Sequence, residues 1–279
     1  MSHMPDMLLE PMVRHALLED LGTAGDITSR LVVPEETQAT ALLQARGAGV
    51  ASGLQLARLA FHAVDPELRI TSEKDGVTCG PGDVLMRIDG RATSLLAAER
   101  VALNFAGRLS GIASLTAQFV AEAKGTQARI TCTRKTTPGL RLAEKLAVLH
   151  GGGSNHRVNL SDAVLIKDNH IAAAGGVVPV LEAVKAKAGH MLHVEIEVDT
   201  LDQLDQVLAT GGAHVVLLDN FSTPDLAEAV GRIDGKHTAE ASGNMTLPRI
   251  AEVAGTGVDY ISVGALTHSA PVLDLGLDF

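Results

Sequence analysis

The sequence predicts two domains of mixed class: an α+β domain over roughly the first 110 residues, then a barrel of parallel strands wrapped in helices. Three observations carry that prediction. Beyond about residue 125, short apolar runs alternate with amphipathic helical stretches, strand then helix, through six candidate strands. Four strand ends are evenly spaced, with Glu197, Asp219, Ala241 and Val263 each 22 residues apart (219−197, 241−219, 263−241). Charged, polar and glycine residues collect at those ends, which is where barrels of this kind carry their chemistry. Compact βα units of one length favour a barrel over an open doubly wound sheet, although six strands fall two short of the usual eight.

The elements follow in order. From Leu8 to Leu21 the apolar residues Leu9, Met12, Val13, Ala16 and Leu17 recur at helical spacing. Strands at Thr40–Gln44 and Leu68–Thr71 alternate with turns at Gly47-Ala48-Gly49 and Gly80-Pro81-Gly82, and a helix occupies Leu54 to Val64. Helical sequence runs from Ala92 to Lys124, with a break expected near Ser110-Gly111. The barrel strands are placed at 129–133, 163–167, 192–198, 215–219, 237–241 and 260–263. Thr137-Pro138 and Thr223-Pro224 each set a capping residue before a proline at the first helical position. Thr200 with Gln203 forms a capping box ahead of Leu201, Leu204 and Leu208.

Composition narrows the function. With 46% hydrophobic residues the 279-residue chain buries a sizeable core, built from aliphatic side chains because aromatics are 2% and Trp is absent. A net charge of −10 and the lack of aromatic stacking platforms argue against nucleic acid and anionic membrane as partners. Cys79 and Cys132 have no metal or redox spacing and fit reduced thiols in the cytoplasm. No apolar run approaches the roughly 20 residues that span a bilayer, and no export signal is legible. Ser2-His3-Met4 reads as an expression-tag remnant.

Against that acidic balance, cations clustered at strand ends are informative. Arg134 and Lys135 close the first barrel strand, and a helix beginning at Thr137-Pro138 would turn its free N–H groups toward them and Thr136. A solvated surface run would look the same in isolation, but His156, Arg157 and Lys167 add cations at the same end, around the flexible Gly151-Gly152-Gly153. Such a group gains most from a bound anion. In His193-Val194-Glu195-Ile196-Glu197-Val198 the strand period puts both carboxylates on the inner face. Glu195 reads equally as an inner-layer residue paired with a lysine or as part of a site. Glu197, in line with Asp219, reads as a ligand of Mg²⁺ or a substrate hydroxyl. Thr223 is the better cap for its helix, which frees Asp219 for substrate. Ser242-Gly243-Asn244 and Gly264 lie in the last two strand-to-helix loops, a common phosphate position in barrels. No P-loop or dinucleotide-binding glycine motif is present. Arg100, Asn104 and Arg108 share one helix face, either a wet surface or the cover of a barrel mouth, including that of a second subunit.

In this order, TRKTTPGLR, GGGSNHR, LSDAVLIKDNHI, VEIEV, VVLLDNF, EASGN and ISVGALTHS closely resemble the quinolinate phosphoribosyltransferase family, also called the nicotinate-nucleotide pyrophosphorylases (carboxylating). LGTAGDITS and AERVALNFAGRLSGIAS extend the resemblance over nearly the whole chain. It implies an N-terminal α/β sandwich domain (1–112, with 268–279 packing back on it) and a C-terminal open α/β barrel of six or seven parallel strands (113–267). It also implies Mg²⁺ and transfer of phosphoribosyl from 5-phosphoribosyl 1-diphosphate to quinolinate, releasing nicotinate mononucleotide, CO₂ and pyrophosphate in NAD biosynthesis. A homodimer or hexamer is implied, one subunit covering the other's barrel mouth. By motif, Arg134, Lys135, His156, Arg157 and Lys167 match the positions that hold the substrate carboxylates and diphosphate, and Arg100 the arginine lent by a neighbour. Glu197 and Asp219 match the residues facing ribose hydroxyls and metal; Ser242, Gly243 and Gly264 match the phosphate loops, with Asn244 standing where many members have glycine. Lys135, Lys167, Glu197 and Asp219 are the expected catalytic group. Two other readings share the fold class: a lyase forming a Schiff base on Lys135 or Lys167, and a ModD-like anion-binding paralogue.

Overall fold

The computed structural model describes residues 3–279, so Ser2 of the leader lies outside the described residues. The chain divides into two compact units, one of residues 1–117, 136–152 and 266–279, the other of 118–135 and 153–265. The segment 136–152, read from sequence as part of the barrel, thus falls in the first unit.

The first unit carries a four-stranded antiparallel sheet in the order β12–β1–β5–β3, formed by β1 (Gln38–Ala45), β3 (Arg69–Ser72), β5 (Val84–Arg91) and the C-terminal β12 (Leu275–Asp278). A two-residue ladder joins β2 (Gly49–Val50) to β4 (Thr78–Cys79). Alternation decides the buried side: Ala41, Leu43 and Ala45 of β1 are sealed in the core with Met86 and Ile88 of β5, while Leu85, beside a register shift, is buried as well. Helix α3 (Leu54–Val64) buries Leu54, Leu56, Ala57, Ala60 and Phe61 in the same core. Removing one such side chain from water contributes about 1.5–3 kcal/mol. Helices α1 (Asp6–Leu21), α2 (Ile27–Val32) and α5 (Arg141–His150) complete the unit, with α4 (Ala92–Glu122) leading out of it.

Two sequence expectations are corrected here. α4 runs unbroken over 31 residues, because Ser110 and Gly111 serve tertiary contacts and not a kink. The Ser110 hydroxyl accepts the Ser52 N–H at 2.8 Å and donates to the Ser52 carbonyl at 3.0 Å, while a Cβ at Gly111 would run into the Pro271 carbonyl oxygen. The helix expected to start at Thr137 starts instead at Arg141. Residues 137–140 form a turn, closed by the Leu140 N–H on the Thr137 carbonyl, with Gly139 at φ +82°. Buried Glu144 folds back to accept both the N–H and the hydroxyl of Thr137 and pairs with Arg108. A carboxylate thus does the work assigned to a proline-led helix start.

The second unit is a six-stranded parallel sheet in the order β6–β11–β10–β9–β8–β7. Its strands are β6 (Arg129–Thr131), β7 (Val164–Ile166), β8 (Val194–Val198), β9 (Val215–Asp219), β10 (Thr238–Ser242) and β11 (Tyr260–Ser262). Beyond β6, Ser154 makes a single parallel bridge to Thr131, the remnant of a seventh strand. The barrel is open, as the family resemblance implied, which accounts for the count of six strands in place of eight. Helices α6 (Asp168–Ala174), α7 (Val177–Lys187), α8 (Leu201–Thr210), α9 (Thr223–Ile233), α10 (Ile250–Ala254) and α11 (Ala265–His268) link or follow the strands. Thr200 caps α8 as expected, accepting the Gln203 N–H. α9 is capped by Ser222 and not Thr223, since the latter already has helical backbone.

Candidate active site

Five of the six parallel strands, and the turn after the sixth, deliver side chains to one cavity of the second unit, three of them in pairs set by the two-residue strand period. β7 and the residue after it give Leu165 and Lys167, β9 gives Leu217 and Asp219, and β10 gives Glu240 and Ser242. β8 gives Glu197, β11 gives Ser262, the turn after β6 gives Thr133, Arg134 and Lys135, and the segment after Ser154 gives His156 and Arg157. Together they line a cavity of about 350 Å³. The opposite faces of these strands are aliphatic and buried, including Val194, Ile196, Val198, Val216, Leu218, Ala239 and Ala241, which holds the inward set in register.

One side of the cavity is cationic. Burial, and then the nearby charge of Arg134, makes Arg157 easier to deprotonate than a free guanidinium. Arg157 Nη1 donates to the Ala163 carbonyl at 2.9 Å, yet its buried Nε has no hydrogen-bond partner among the described residues. Like charges in a partly desolvated wall are relieved by an anion. The other side is acidic. Burial pushes Glu197 up despite its ion pair with Lys167 Nζ, and Asp219 and Asp168 add to the rise. Burial likewise raises Asp199, with Asp219 and Asp168 as further causes. Asp219 accepts the Asn220 side-chain amide at 2.6 Å.

Beneath these walls lie His156, Glu195 and Glu240, one ligand atom from each falling within 4.8 Å of the others. His156 Nδ1 accepts the Arg157 backbone N–H at 2.9 Å, which leaves the ring proton on Nε2 to be donated to Glu195 Oε2 at 2.8 Å. Burial, and then the charge of Glu195, pushes Glu240 up to about 7. The two carboxylates can lie close together because the raised one keeps its proton up to near neutral pH. The partner of Glu195 is therefore not the lysine that the inner-layer reading expected but His156, itself a residue that lines the cavity.

Models of the quinolinate phosphoribosyl transferase N-terminal and C-terminal domains match residues 26–110 and 112–278. The chain belongs to this family. It is 45% identical over 272 residues to a nicotinate-nucleotide pyrophosphorylase (carboxylating) of Mycobacterium leprae, covering 95% of each chain. A probable enzyme of the same name from Bacillus subtilis is 40% identical over 277 residues, covering 99% of this chain and 94% of the other. Among solved structures, NadC from Streptococcus pyogenes superposes with a TM-score of 0.95 at 39% identity, covering 99% and 98% of the two chains.

Of the residues singled out from sequence, Arg134, Lys135, His156, Arg157, Lys167, Glu197, Asp219 and Ser242 line the cavity. Gly243, Asn244 and Gly264 sit in the loops just beyond β10 and β11, outside the lining. Thr136 and Arg141 do not join the set: both fall in the first unit, where Arg141 Nε donates to the Thr136 hydroxyl at 2.9 Å. Arg100 is exposed on α4, while Asn104 and Arg108 of the same face line a separate cavity of about 750 Å³ within the first unit. Glu240 and Ser262 escaped sequence reasoning. The signal was present for Glu240, which stands two residues before Ser242 as Glu195 stands two before Glu197.

Proposed function

We propose that this chain transfers phosphoribosyl from 5-phosphoribosyl 1-diphosphate to quinolinate, with decarboxylation to nicotinate mononucleotide, CO₂ and pyrophosphate, as the names of its relatives describe. One observation carries the chemistry: a single cavity sets Arg134, Lys135, Arg157 and Lys167 beside Glu197 and Asp219. Quinolinate is a dianion, and the repulsion between Arg134 and Arg157 is the kind that a bound dicarboxylate relieves. Carboxylates answer the other half of the reaction. As pyrophosphate leaves, the ribosyl carbon becomes oxocarbenium-like, and Glu197 and Asp219 stabilise that charge electrostatically. The ring nitrogen attacks this carbon. Its positive charge in the product then draws the electron pair left on C2 when the C2–CO₂ bond breaks, and C2 takes up a proton.

Mg²⁺ fits the acidic side, where Glu197 and Asp199 are both raised by burial and by neighbouring carboxylates. Glu197 and Asp219 would hold it, together with oxygens of the diphosphate, since Mg²⁺ favours one or two carboxylates plus phosphate oxygens. When bound it would offset charge on the leaving pyrophosphate. A Schiff base on Lys167 is disfavoured because its amine is engaged in an ion pair with Glu197. We further propose a homodimer, consistent with Met7, Leu8, Leu18, Leu31 and Val32 lying exposed in the first unit. Buried Cys79 and Cys132, neither in a disulfide, suit a cytoplasmic setting, and no described helix is long and apolar enough to cross a membrane. The test is an assay with quinolinate, the phosphoribosyl donor and Mg²⁺. Stoichiometric CO₂ and pyrophosphate are expected; neither product, or equal turnover of nicotinate, overturns the assignment.

A further inference from the structure

Two residues at the cavity rim adopt a backbone conformation that side chains other than Asn, Asp and Gly rarely take. Asn220, directly after Asp219, has φ +58°, and Asn244, in the loop after β10, has φ +49°. They are linked. Asn244 Nδ2 donates to Asn220 Oδ1 at 3.2 Å, and Asn220 Nδ2 donates to Asp219 Oδ2 at 2.6 Å. The backbone repeats the connection, because the Asn220 N–H donates to the Ser242 carbonyl at 3.1 Å. Gly243 has φ +89°, and a Cβ there would strike the Asn220 side-chain oxygen, so the two loops can close on each other only with glycine between them. Arg249 fastens the pair from behind, Nη2 on the Phe221 carbonyl at 2.8 Å and Nη1 on the Gly243 carbonyl at 3.3 Å.

The geometry points to Asn244 as a positioning residue: acting through Asn220, it fixes the carboxylate of Asp219 relative to the loop of Ser242 and Gly243. This rests on the reading above, in which Asp219 serves the ribose and that loop the 5-phosphate. The amide of Asn220 engages Oδ2 of Asp219, so Oδ1 is the oxygen this bond leaves to a ligand. One substrate spans both loops, so a relay that locks their spacing acts on the phosphoribosyl donor and leaves quinolinate binding alone.

Glycine is the clean probe at both positions, since it accepts the left-handed backbone and deletes only the amide. For Asn220→Gly, kcat/KM for the phosphoribosyl donor should fall about tenfold, the worth of one hydrogen bond to a charged group. For Asn244→Gly, one neutral bond removed, the fall should be about threefold. The double variant should be no worse than Asn220→Gly alone, because Asn244 works through Asn220. KM for quinolinate should stay within about twofold in all three, since neither amide touches the cationic wall. Multiplying effects, an unchanged Asn244→Gly, or an equal rise in the quinolinate KM would overturn the relay. Calorimetric binding of 5-phosphoribosyl 1-diphosphate reads the same four proteins without turnover. An unmutated chain that binds the donor but forms no CO₂ refutes the function and still tests the relay by the binding cycle; thermal melts of each variant show that the fold is kept.

Discussion

The strand starts of the parallel barrel and the cavity inside it treat polar side chains in opposite ways. At the end where the strands begin, the residues just before β9, β10 and β11 are spent on neighbouring backbone. His214 Nδ1 accepts the Val194 N–H at 3.0 Å, His237 Nδ1 donates to the Ala213 carbonyl at 3.1 Å, and Asp259 Oδ2 accepts the Ala239 N–H at 2.8 Å. Around and beneath the cavity, Arg157 Nε, Glu195 Oε1 near the start of β8 and Glu240 Oε1 midway along β10 are buried with no hydrogen-bond partner among the described residues. The same unit therefore stitches its strand starts together and leaves polar capacity unused around its cavity. Buried polar groups are normally satisfied, so unused capacity marks where a ligand completes the structure.

Mutations in the two regions should separate along that line. The largest effect belongs to Lys167→Ala. It removes one cation from the cavity and strands Glu197, already raised by burial, without its counter-charge. kcat/KM should drop about 10²–10³-fold, the range for losing a preorganised charge in a water-poor site, in a variant that still folds. A near-native rate would remove Lys167 from the site and blur the contrast.

Glu240→Gln tests the unused capacity by pH. Burial and Glu195 raise Glu240 from 4.5 to about 7, with His156 opposing. The folded protein thus holds this proton more tightly than the unfolded chain, so the stability it contributes is present below about 4.5 and lost as pH rises through about 7. Glutamine stays neutral throughout. The variant's melting temperature, relative to the unmutated chain, should therefore climb across that window and level off above it. A difference that does not vary with pH would mean that Glu240 does not titrate there.

Much of this contrast was legible in the chain. Strand period two placed Glu197 inward, and strand-end position brought Asp219, Ser242, Arg134, Lys135 and Lys167 to the same cavity, with Arg157 read beside them. What escaped depended on distant partners. Glu240 lies among alanines in Thr238–Ser242, with no flanking charge to draw the eye. The turn at 137–140 is fixed by Glu144, seven residues from Thr137, which a proline-based rule for helix starts does not weigh. Gly111 looked like a helix break because a sequence shows the missing side chain but not the Pro271 carbonyl that fills its place.

The smallest effects belong to the stitched strand starts, and they sharpen the comparison because they should touch stability alone. Asp259→Ala strips the partner from the Ala239 N–H inside a buried strand and should cost about 1–3 kcal/mol. His214→Ala should cost less, about 0.5–1.5 kcal/mol, the net worth of one ordinary hydrogen bond. His214 is exposed, so water can replace its bond to the Val194 N–H, and the lost stacking on His193 at 4.6 Å adds only a minor term. Denaturant midpoints rank the two, and kcat/KM for both should match the unmutated chain. If Asp259→Ala cut turnover as well, the strand starts would be transmitting strain to Glu240 and Ser242 along β10, and the two regions would be one mechanical unit instead of a scaffold and a site.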